Sequence, residues 1–481
     1  MTACSRCDCL VLPLSLFPLP SRPSLPSLPS PGQPCPSAAS PTSRLPMELP
    51  MPLPASDDLL FPAALWQPRP RSGGPEEPLP ITRRDELGIE TAAASADGSP
   101  LGPGPAFGEG PRVISRGGDT ALVHFRHAAH AATAVALQAN GWWRPEPREA
   151  CDLRPTGNGW WEGTFEVPAD WRATYGYVEH EEDGDPPWWE SGLKDPGAPV
   201  VSDLSNPRRH RAARGGAQRA VICVPDDGPF TPGLVRDGEP SPLLHTLATR
   251  EGEPVTRWWA SRPGDPGCED LDPSAPLPLL IVTDGLQHVD QLGTPSRLRR
   301  GVAAGILPPL AAVFVESGPS RSEVLGVPGG HARWIAEQLA PRLREEGLRD
   351  STGDVPLTDQ ASRTIVTGSS FGGLTALFAV ARAPQLIGTA IAQSVSLWRY
   401  EEGALVEPLR RAARQHPLRL RLHAGRFEGT MPARAAALLD GLTAGAGTDD
   451  RLDATLAVHS GGHDWAWWQP MMLQELAALL R

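Results

Sequence analysis

The stretch "TIVTGSSFGGLTALFAVA", residues 364–381, leaves a chain few ways to fold. An apolar, β-branched run enters a cluster of small and turn-prone residues, and an alanine-rich apolar run leaves it. The first run suits a buried strand and the second a buried helix, so the cluster must reverse the chain within a few residues. Gly368-Ser369-Ser370-Phe371-Gly372 has the form G-x-S-x-G. A turn this sharp forces its central residue into a strained conformation, and glycines two positions to either side make room for the crossing chain. Ser370 is then the apex and Ser369 the variable residue. The apex serine is expected at a helix N-terminus above a sheet, with the Phe371 N–H aimed at a developing oxyanion.

A serine hydroxyl is a poor nucleophile without a base, and in this fold the order along the chain is Ser, acid, His. Only His416, His423, His459 and His463 follow Ser370. His423 and His459 fall within strand patterns, and His416 lies in a polar connection. His463 sits in "HSGGHDWAWWQP", a Gly-rich loop between the last strand and the final helix, where a base is expected. The acid should come from "LRLRLHAGRFEGTMPAR", where Glu428 is the carboxylate before the helix. Asp440 lies within that helix, and Asp449, Asp450 and Asp453 sit at the far end of the last strand. Asp464 reads as the cap of the closing helix. A second oxyanion donor is expected around Gly285 and Leu286 in "IVTDGLQH" (281–288), a segment that also reads as an ordinary turn.

The surrounding pattern supports an α/β class. From residue 218 onward, apolar runs at 219–225, 276–285, 308–317, 363–368, 388–394, 418–425 and 453–462 alternate with helical patterns, notably 331–347 and 431–445. Near-continuous apolar strands separated by helices predict a mostly parallel sheet covered on both faces. Residues 213–481 are therefore read as one α/β-hydrolase domain. Upstream, 119–127, 133–139, 160–168 and 172–180 alternate apolar and polar residues, as half-buried antiparallel strands do. They predict a small β-sandwich over 116–212. Trp142, Trp143, Trp160, Trp161, Trp188 and Trp189 come in pairs there. Each pair could be a stacking platform, or one member could fill the core while the other lies at a junction.

Residues 1–115 are rich in Pro, Ser and Gly and are expected to be largely disordered, with Met47 or Met51 as alternative starts. The apolar run at 10–20 is interrupted by prolines and has Arg6 as the only basic residue before it, so it does not read as a secretion signal. No segment offers an uninterrupted membrane span, and the expected location is the cytoplasm. Cys4-x-x-Cys7 resembles half of a zinc knuckle, without a second ligand pair at suitable spacing. Seven scattered cysteines imply no disulfide framework. A formal net charge of -12 argues against general nucleic-acid binding.

"VTGSSFGGLTAL", "AQSVSLW", "LHAGRFEG" and "SGGHDWAWW" resemble, in order and spacing, the iron–enterobactin (enterochelin) esterases. "LLIVTDG" and "SRSEVLG" match two further stretches of that family, and the segment ending in "SDLSNP" resembles its N-terminal early-set-like domain. The resemblance covers roughly residues 116–481. It implies a serine esterase with Ser370 as nucleophile, His463 as base and Glu428 as acid, needing no metal or organic cofactor because the iron belongs to the substrate. It also implies a catecholate contact from Arg321, which lies with Glu323 in a stretch spaced differently from the family's. Trp398 is followed by Arg399 where the family often has two aromatics. Arg321, Arg399 and Arg426 among Trp398, Trp465 and Trp467 would suit a polyanionic aromatic siderophore. Other readings are a carbohydrate esterase with a glycan-gripping sandwich and a catalytically silent binding protein.

Overall fold

The computed structural model describes residues 60–61, 81–85, 110–210, 218–225, 228–231, 242–444 and 451–481, all within one compact unit, Leu49–Arg481. The readings at Cys4 and Cys7, at 10–20, at Met47 and Met51, and at Asp449 and Asp450 lie outside the described residues.

The first half builds two antiparallel sheets. One contains β1 (Thr82–Arg83), β2 (Arg112–Gly117), β3 (Thr120–Ala128), β5 (Arg154–Gly157) and β6 (Trp160–Pro168), ordered β1-β6-β3-β2 with β5 also on β6. The other contains β4 (Ala134–Ala139), β7 (Arg172–His180), β8 (Val200–Val201), β9 (Arg209–His210) and β10 (Arg219–Cys223), ordered β4-β7-β10-β9 with β8 on β7. Alternation sends one side of each strand inward. Val123, Phe125, Phe165 and Val167 from the first sheet share a core with Leu137, Tyr175, Tyr177 and Ile222 from the second. Phe125 meets Phe165 and Tyr175 edge-on at 5.8 and 5.3 Å, an arrangement the ring quadrupoles favour.

One expectation needs correction here, and the region before residue 116 gains detail. The run at 219–225 is not the first strand of the α/β series; β10 pairs antiparallel with β7 and β9. A short apolar run reads alike as a central parallel strand or a buried antiparallel one. Ordered pieces also reach upstream of residue 116. β1 pairs with β6, β2 begins at Arg112, and buried Phe61 packs edge-on against Phe378 at 5.1 Å.

The second half is an eight-stranded sheet of β11 (His245–Thr246), β12 (Thr256–Ala260), β13 (Leu279–Val282), β14 (Ala311–Val315), β17 (Thr364–Ser369), β18 (Thr389–Gln393), β19 (Leu418–Gly425) and β20 (Leu452–His459). Its order is β11-β12-β14-β13-β17-β18-β19-β20. The pairings of β11 with β12 and of β12 with β14 are antiparallel, and all the others are parallel. A separate hairpin joins β15 (Leu348–Asp350) to β16 (Gly353–Val355). The helices are α1 (Trp188–Ser191), α2 (Thr294–Ala303), α3 (Arg321–Val324), α4 (Gly330–Trp334), α5 (Ala340–Glu346), α6 (Phe371–Arg382), α7 (Val406–Gln415), α8 (Met431–Thr443) and α9 (Trp465–Leu480). The helix expected over 331–347 is interrupted by a widened turn at Ile335–Leu339. Pro341 follows after Ala340, and its missing N–H cannot support a regular turn there.

Successive strand residues feed opposite cores. Ile281 and Val366 pack with Leu374, Leu377, Leu409 and Leu438 of α6, α7 and α8. Leu280, Val282 and Ile365 pack with Leu298 of α2 and Leu473 and Leu476 of α9. This is the α/β-hydrolase fold, with helices on both faces of a mostly parallel sheet. Among the described residues no helix is long and apolar enough to cross a membrane.

Leu377 is fully buried in α6. Leu377→Ala should destabilise the chain by about 2–5 kcal/mol, seen in calorimetry as a midpoint lower by several degrees. An unchanged midpoint would mean that this helix face is not packed.

Candidate active site

The parallel strands all open their C-terminal ends on one edge, where loops carry polar groups. β17 ends at Ser369 and α6 begins at Phe371, so a single residue makes the turn. Ser370 has φ 60° and ψ −117°, a conformation that costs about 1–3 kcal/mol for a residue with a side chain. The flanking glycines are needed for space. A Cβ on Gly368 would lie 2.2 Å from Thr283 Oγ1 and 2.5 Å from the Gly372 carbonyl carbon, and one on Gly372 would lie 2.4 Å from Thr283 Oγ1. The Ser370 N–H donates to the Gln393 carbonyl at 2.9 Å. Its hydroxyl lies 3.1 Å from Ser396 Oγ.

Neighbouring strands carry the other two groups. Across the parallel ladder Ser369 pairs with Gln393, Gln393 with His423 and His423 with Ala457. The loops after β17, β18, β19 and β20 therefore leave the sheet side by side. Glu428 lies beyond β19 and His463 beyond β20, and His463 Nδ1 is 2.8 Å from Glu428 Oε1. The Glu428 side chain is fully buried, whereas that of His463 is 43% exposed. Glu428 Oε2 accepts from the Ser394 hydroxyl and the Gly425 N–H, each at 2.8 Å. The Ser394 oxygen in turn accepts from Trp468 Nε1 at 2.7 Å. The Trp468 ring also meets the His463 ring edge-to-face at 4.7 Å. Among the described residues the Ser370 hydroxyl bonds to Ser396 and not to His463.

Such an arrangement can do nucleophilic chemistry. Glu428 occupies Nδ1 and so leaves Nε2 of His463 free to take a proton, while a serine held at a helix N-terminus presents its hydroxyl and the next backbone N–H together.

Phe371 is the centre of a second group. The Arg399 guanidinium lies 4.4 Å from its ring centre and that of Arg321 5.9 Å. Trp398 is tilted against the same ring at 5.8 Å. Arg321 is held bidentately by buried Asp284, Nε to Oδ1 and Nη2 to Oδ2, both at 2.6 Å. Burial opposes the Arg321 charge, but the Asp284 bonds outweigh it and hold its pKa above the usual value. Arg399 is buried and donates to the Ser322 carbonyl at 3.0 Å. Gly285 and Leu286 begin a helical turn directly after Asp284, and the adjacent Thr283 touches the elbow glycines. Trp465 stands between His288 and Trp468 at 5.2 and 4.9 Å. Arg426 is exposed.

The comparisons with known proteins agree with this architecture. Residues 269–479 match the family model "Putative esterase". The iron(III) salmochelin esterase of Escherichia coli O6:H1 is 28% identical over 225 residues, covering 44% of this chain and 52% of that protein. The iron(III) enterobactin esterase of Dickeya dadantii is 29% identical over 225 residues, covering 44% and 49%. A crystal structure of the enterobactin esterase from Shigella flexneri, in the presence of enterobactin, matches at a TM-score of 0.59 with 22% identity. It covers 77% of this chain and 96% of that one. Over residues 269–479 this chain is similar to the esterase family model, and in part of its length it is similar to the iron(III) enterobactin and salmochelin esterases. It spans about half the length of the curated relatives it matches.

The other candidates are placed elsewhere. His423 and His459 are strand residues with their rings 5.1 Å apart, His416 follows α7, and Asp440 lies within α8. Asp453 pairs with Arg421. Asp464 caps α9 through the Ala466 N–H. One tryptophan of each pair (Trp142, Trp161, Trp188) is in the core, while Trp143, Trp160 and Trp189 are half-buried. Ser394, Ser396, Trp468 and Asp284 were not singled out by sequence reasoning. Ser394 and Ser396 look like ordinary loop serines. Only the short "AQSVSLW" run after a strand hinted at them.

Burial holds His288 and His331 neutral, with pKa lowered to about 4, and His210 to about 3. The unfolded chain takes up these protons below pH ~6.5 and the folded chain only near those lower values. The stability these histidines contribute should therefore fall as pH drops from about 6.5 through about 4 towards about 3, and level off below. His288→Gln should show a smaller fall in thermal midpoint between pH 7 and pH 4.5 than the parent chain. An equal fall would mean that His288 titrates normally.

Proposed function

We propose that the chain is a serine esterase that hydrolyses the ester (trilactone) bonds of a ferric catecholate siderophore of the enterobactin type, so that iron can be released. The observation that carries this reading is the buried Glu428 bonded to His463 at 2.8 Å on the same sheet edge as Ser370 at positive φ. Relatives named as iron(III) enterobactin and salmochelin esterases supply the substrate class.

In this mechanism Ser370 Oγ attacks the ester carbonyl and its proton passes to His463 Nε2. The negative charge that develops on the carbonyl oxygen is met by the Phe371 N–H and by a backbone N–H of Gly285 or Leu286. Glu428 fixes the His463 tautomer and stabilises the imidazolium. His463 then gives the proton to the departing serine hydroxyl of the siderophore. Water, deprotonated by His463, cleaves the acyl-enzyme and restores Ser370. The chemistry uses the chain's own side chains, and iron enters as substrate cargo. Arg399, Arg426, Trp398 and Trp465 offer charge and ring surface to a catecholate. Arg321 acts with less free charge, because Asp284 already holds it.

The first two sheets form an early-set-like β-sandwich on this reading, running on through β10. A glycan platform there is less favoured, because Arg126 lies 3.9 Å over Trp160 and Arg148 lies 4.6 Å over Trp189. A cytoplasmic location goes with the free thiols of Cys151 and Cys268.

Chromatography of ferric enterobactin and of feruloylated or acetylated sugars after incubation tests the assignment. Hydrolysis of the siderophore is expected, with a loss of at least about 10³-fold in Ser370→Ala. Turnover of sugar esters alone would overturn the siderophore reading, and undiminished activity in Ser370→Ala would remove it as nucleophile. Glu428→Gln should lower kcat by about 10²- to 10⁴-fold with little change in KM. A parent-like kcat would show that the carboxylate is not the orienting group.

A further inference from the structure

The loop that carries His463 is held from outside the large sheet. The Arg172 N–H donates to the Ser460 carbonyl at 3.2 Å, and the Ser460 N–H donates to Asp170 Oδ2 at 3.2 Å. Asn140 Nδ2 donates to the His463 carbonyl at 3.4 Å. The Thr174 N–H donates to Asp464 Oδ2, the carboxylate whose other oxygen caps α9. These four partners (Asn140, Asp170, Arg172 and Thr174) all belong to the two antiparallel sheets or to the turns that follow β4 and β6.

Steric contact makes the same junction tight. A Cβ on Gly462 would lie 2.4 Å from Asn140 Oδ1 and 2.8 Å from Gly141 Cα. One on Gly141 would lie 3.1 Å from Gly462 Cα and 3.2 Å from Phe427 Cβ. Phe427 immediately precedes Glu428 and is buried in the core of the antiparallel sheets rather than in either core of the large sheet. The acid and the base are thus each one residue from an anchor in the N-terminal module.

Burial gives the Asp464 bonds weight. Asp464 is buried, and burial pushes its pKa up while the Thr174 and Ala466 N–H groups oppose the rise. A buried carboxylate that lost one of these donors would pull the loop towards another. The loop's own ties run from the Trp467 indole to the Gly462 carbonyl at 2.6 Å and from the Phe427 N–H to the Gly461 carbonyl at 3.1 Å. They leave the His463 carbonyl to Asn140.

We propose that Asn140 and Asp170 are positioning residues for His463, so that the antiparallel N-terminal module completes the active site of the hydrolase domain. The proposal rests on the reading of His463 as the base. It gives the module a part in the chemical step for any ester, separate from substrate recognition. Misplacing a catalytic group by about 1 Å can cost on the order of 10²-fold in rate.

The test uses the full chain and p-nitrophenyl butyrate, a small ester that has no need of a siderophore pocket. Asn140→Ala and Asp170→Ala should each lower kcat by about 10- to 100-fold with KM within about threefold. Asp170→Asn, which keeps an acceptor for the Ser460 N–H, should recover most of the loss. Hydrogen exchange should rise in the peptide spanning residues 459–468 of the alanine variants, and stay at the parent level there in Arg148→Ala, an exposed control in the same module. Parent-like kcat and exchange in Asn140→Ala/Asp170→Ala would overturn the proposal. So would a loss that spreads as raised exchange across the whole chain and is not recovered by Asp170→Asn. If the parent chain fails to cleave the ester, the esterase reading falls, and the exchange measurement still decides whether these residues hold the loop: a rise confined to 459–468 supports the anchoring and no rise overturns it.

Discussion

A carboxylate with no access to water holds this site together. An ionised group in that position costs several kcal/mol unless its oxygens are fully used. Glu428 meets this condition with His463 on one oxygen and Ser394 and Gly425 on the other. Its three partners come from the loop after β18, the last residue of β19 and the loop after β20. None of these can shift without stranding the charge. Trp468 extends the network by donating to Ser394 and packing against His463. The helix that follows the histidine loop is thereby linked, through Ser394, to the carboxylate that bonds the histidine.

The second buried carboxylate works differently. Asp284 lies at the end of β13 with φ 55°, bonded to Arg321 and to the Ser317 hydroxyl. Its helical turn is held beside the elbow, where Thr283 fills the space that the elbow glycines leave. Arg321 ties α3 to this turn and reaches the Phe371 ring, so the shelf around Phe371 is braced from below. The wall of the site that would face a substrate and the wall that would receive an oxyanion therefore share one ion pair.

Much of this was legible in the residue order, for definite reasons. Continuous apolar runs mark strands buried on two faces, which is why β13, β14, β17 and β18 could be read directly. The elbow could be read because only glycine fits at 368 and 372. Glu428 and His463 followed from their loops, each just beyond a recognisable strand. By contrast, β10 was assigned to the wrong sheet, because a short apolar strand carries no mark of its neighbours. Ser394 and Ser396 were passed over because their importance lies in what faces them: Glu428 in one case, Ser370 in the other. Arg321 was identified by its stretch, but its bond to Asp284 joins residues 37 apart in the chain, and no local pattern reports such a pairing.

The sequence by itself determined the strand-turn-helix geometry at Ser370, because backbone sterics at glycine and the periodicity of apolar residues act over a few neighbours. It also determined the order in which Ser370, Glu428 and His463 appear along the chain. Only the tertiary structure decided which carboxylate meets which imidazole and how Arg321 is paired. It likewise decided that the loop of His463 is gripped by residues some 290 to 320 positions earlier. Those outcomes depend on which strand lies beside which in a sheet and on how the antiparallel sheets abut the large one. Hydrogen bonds and close packing between distant segments set them, after the local rules have been satisfied.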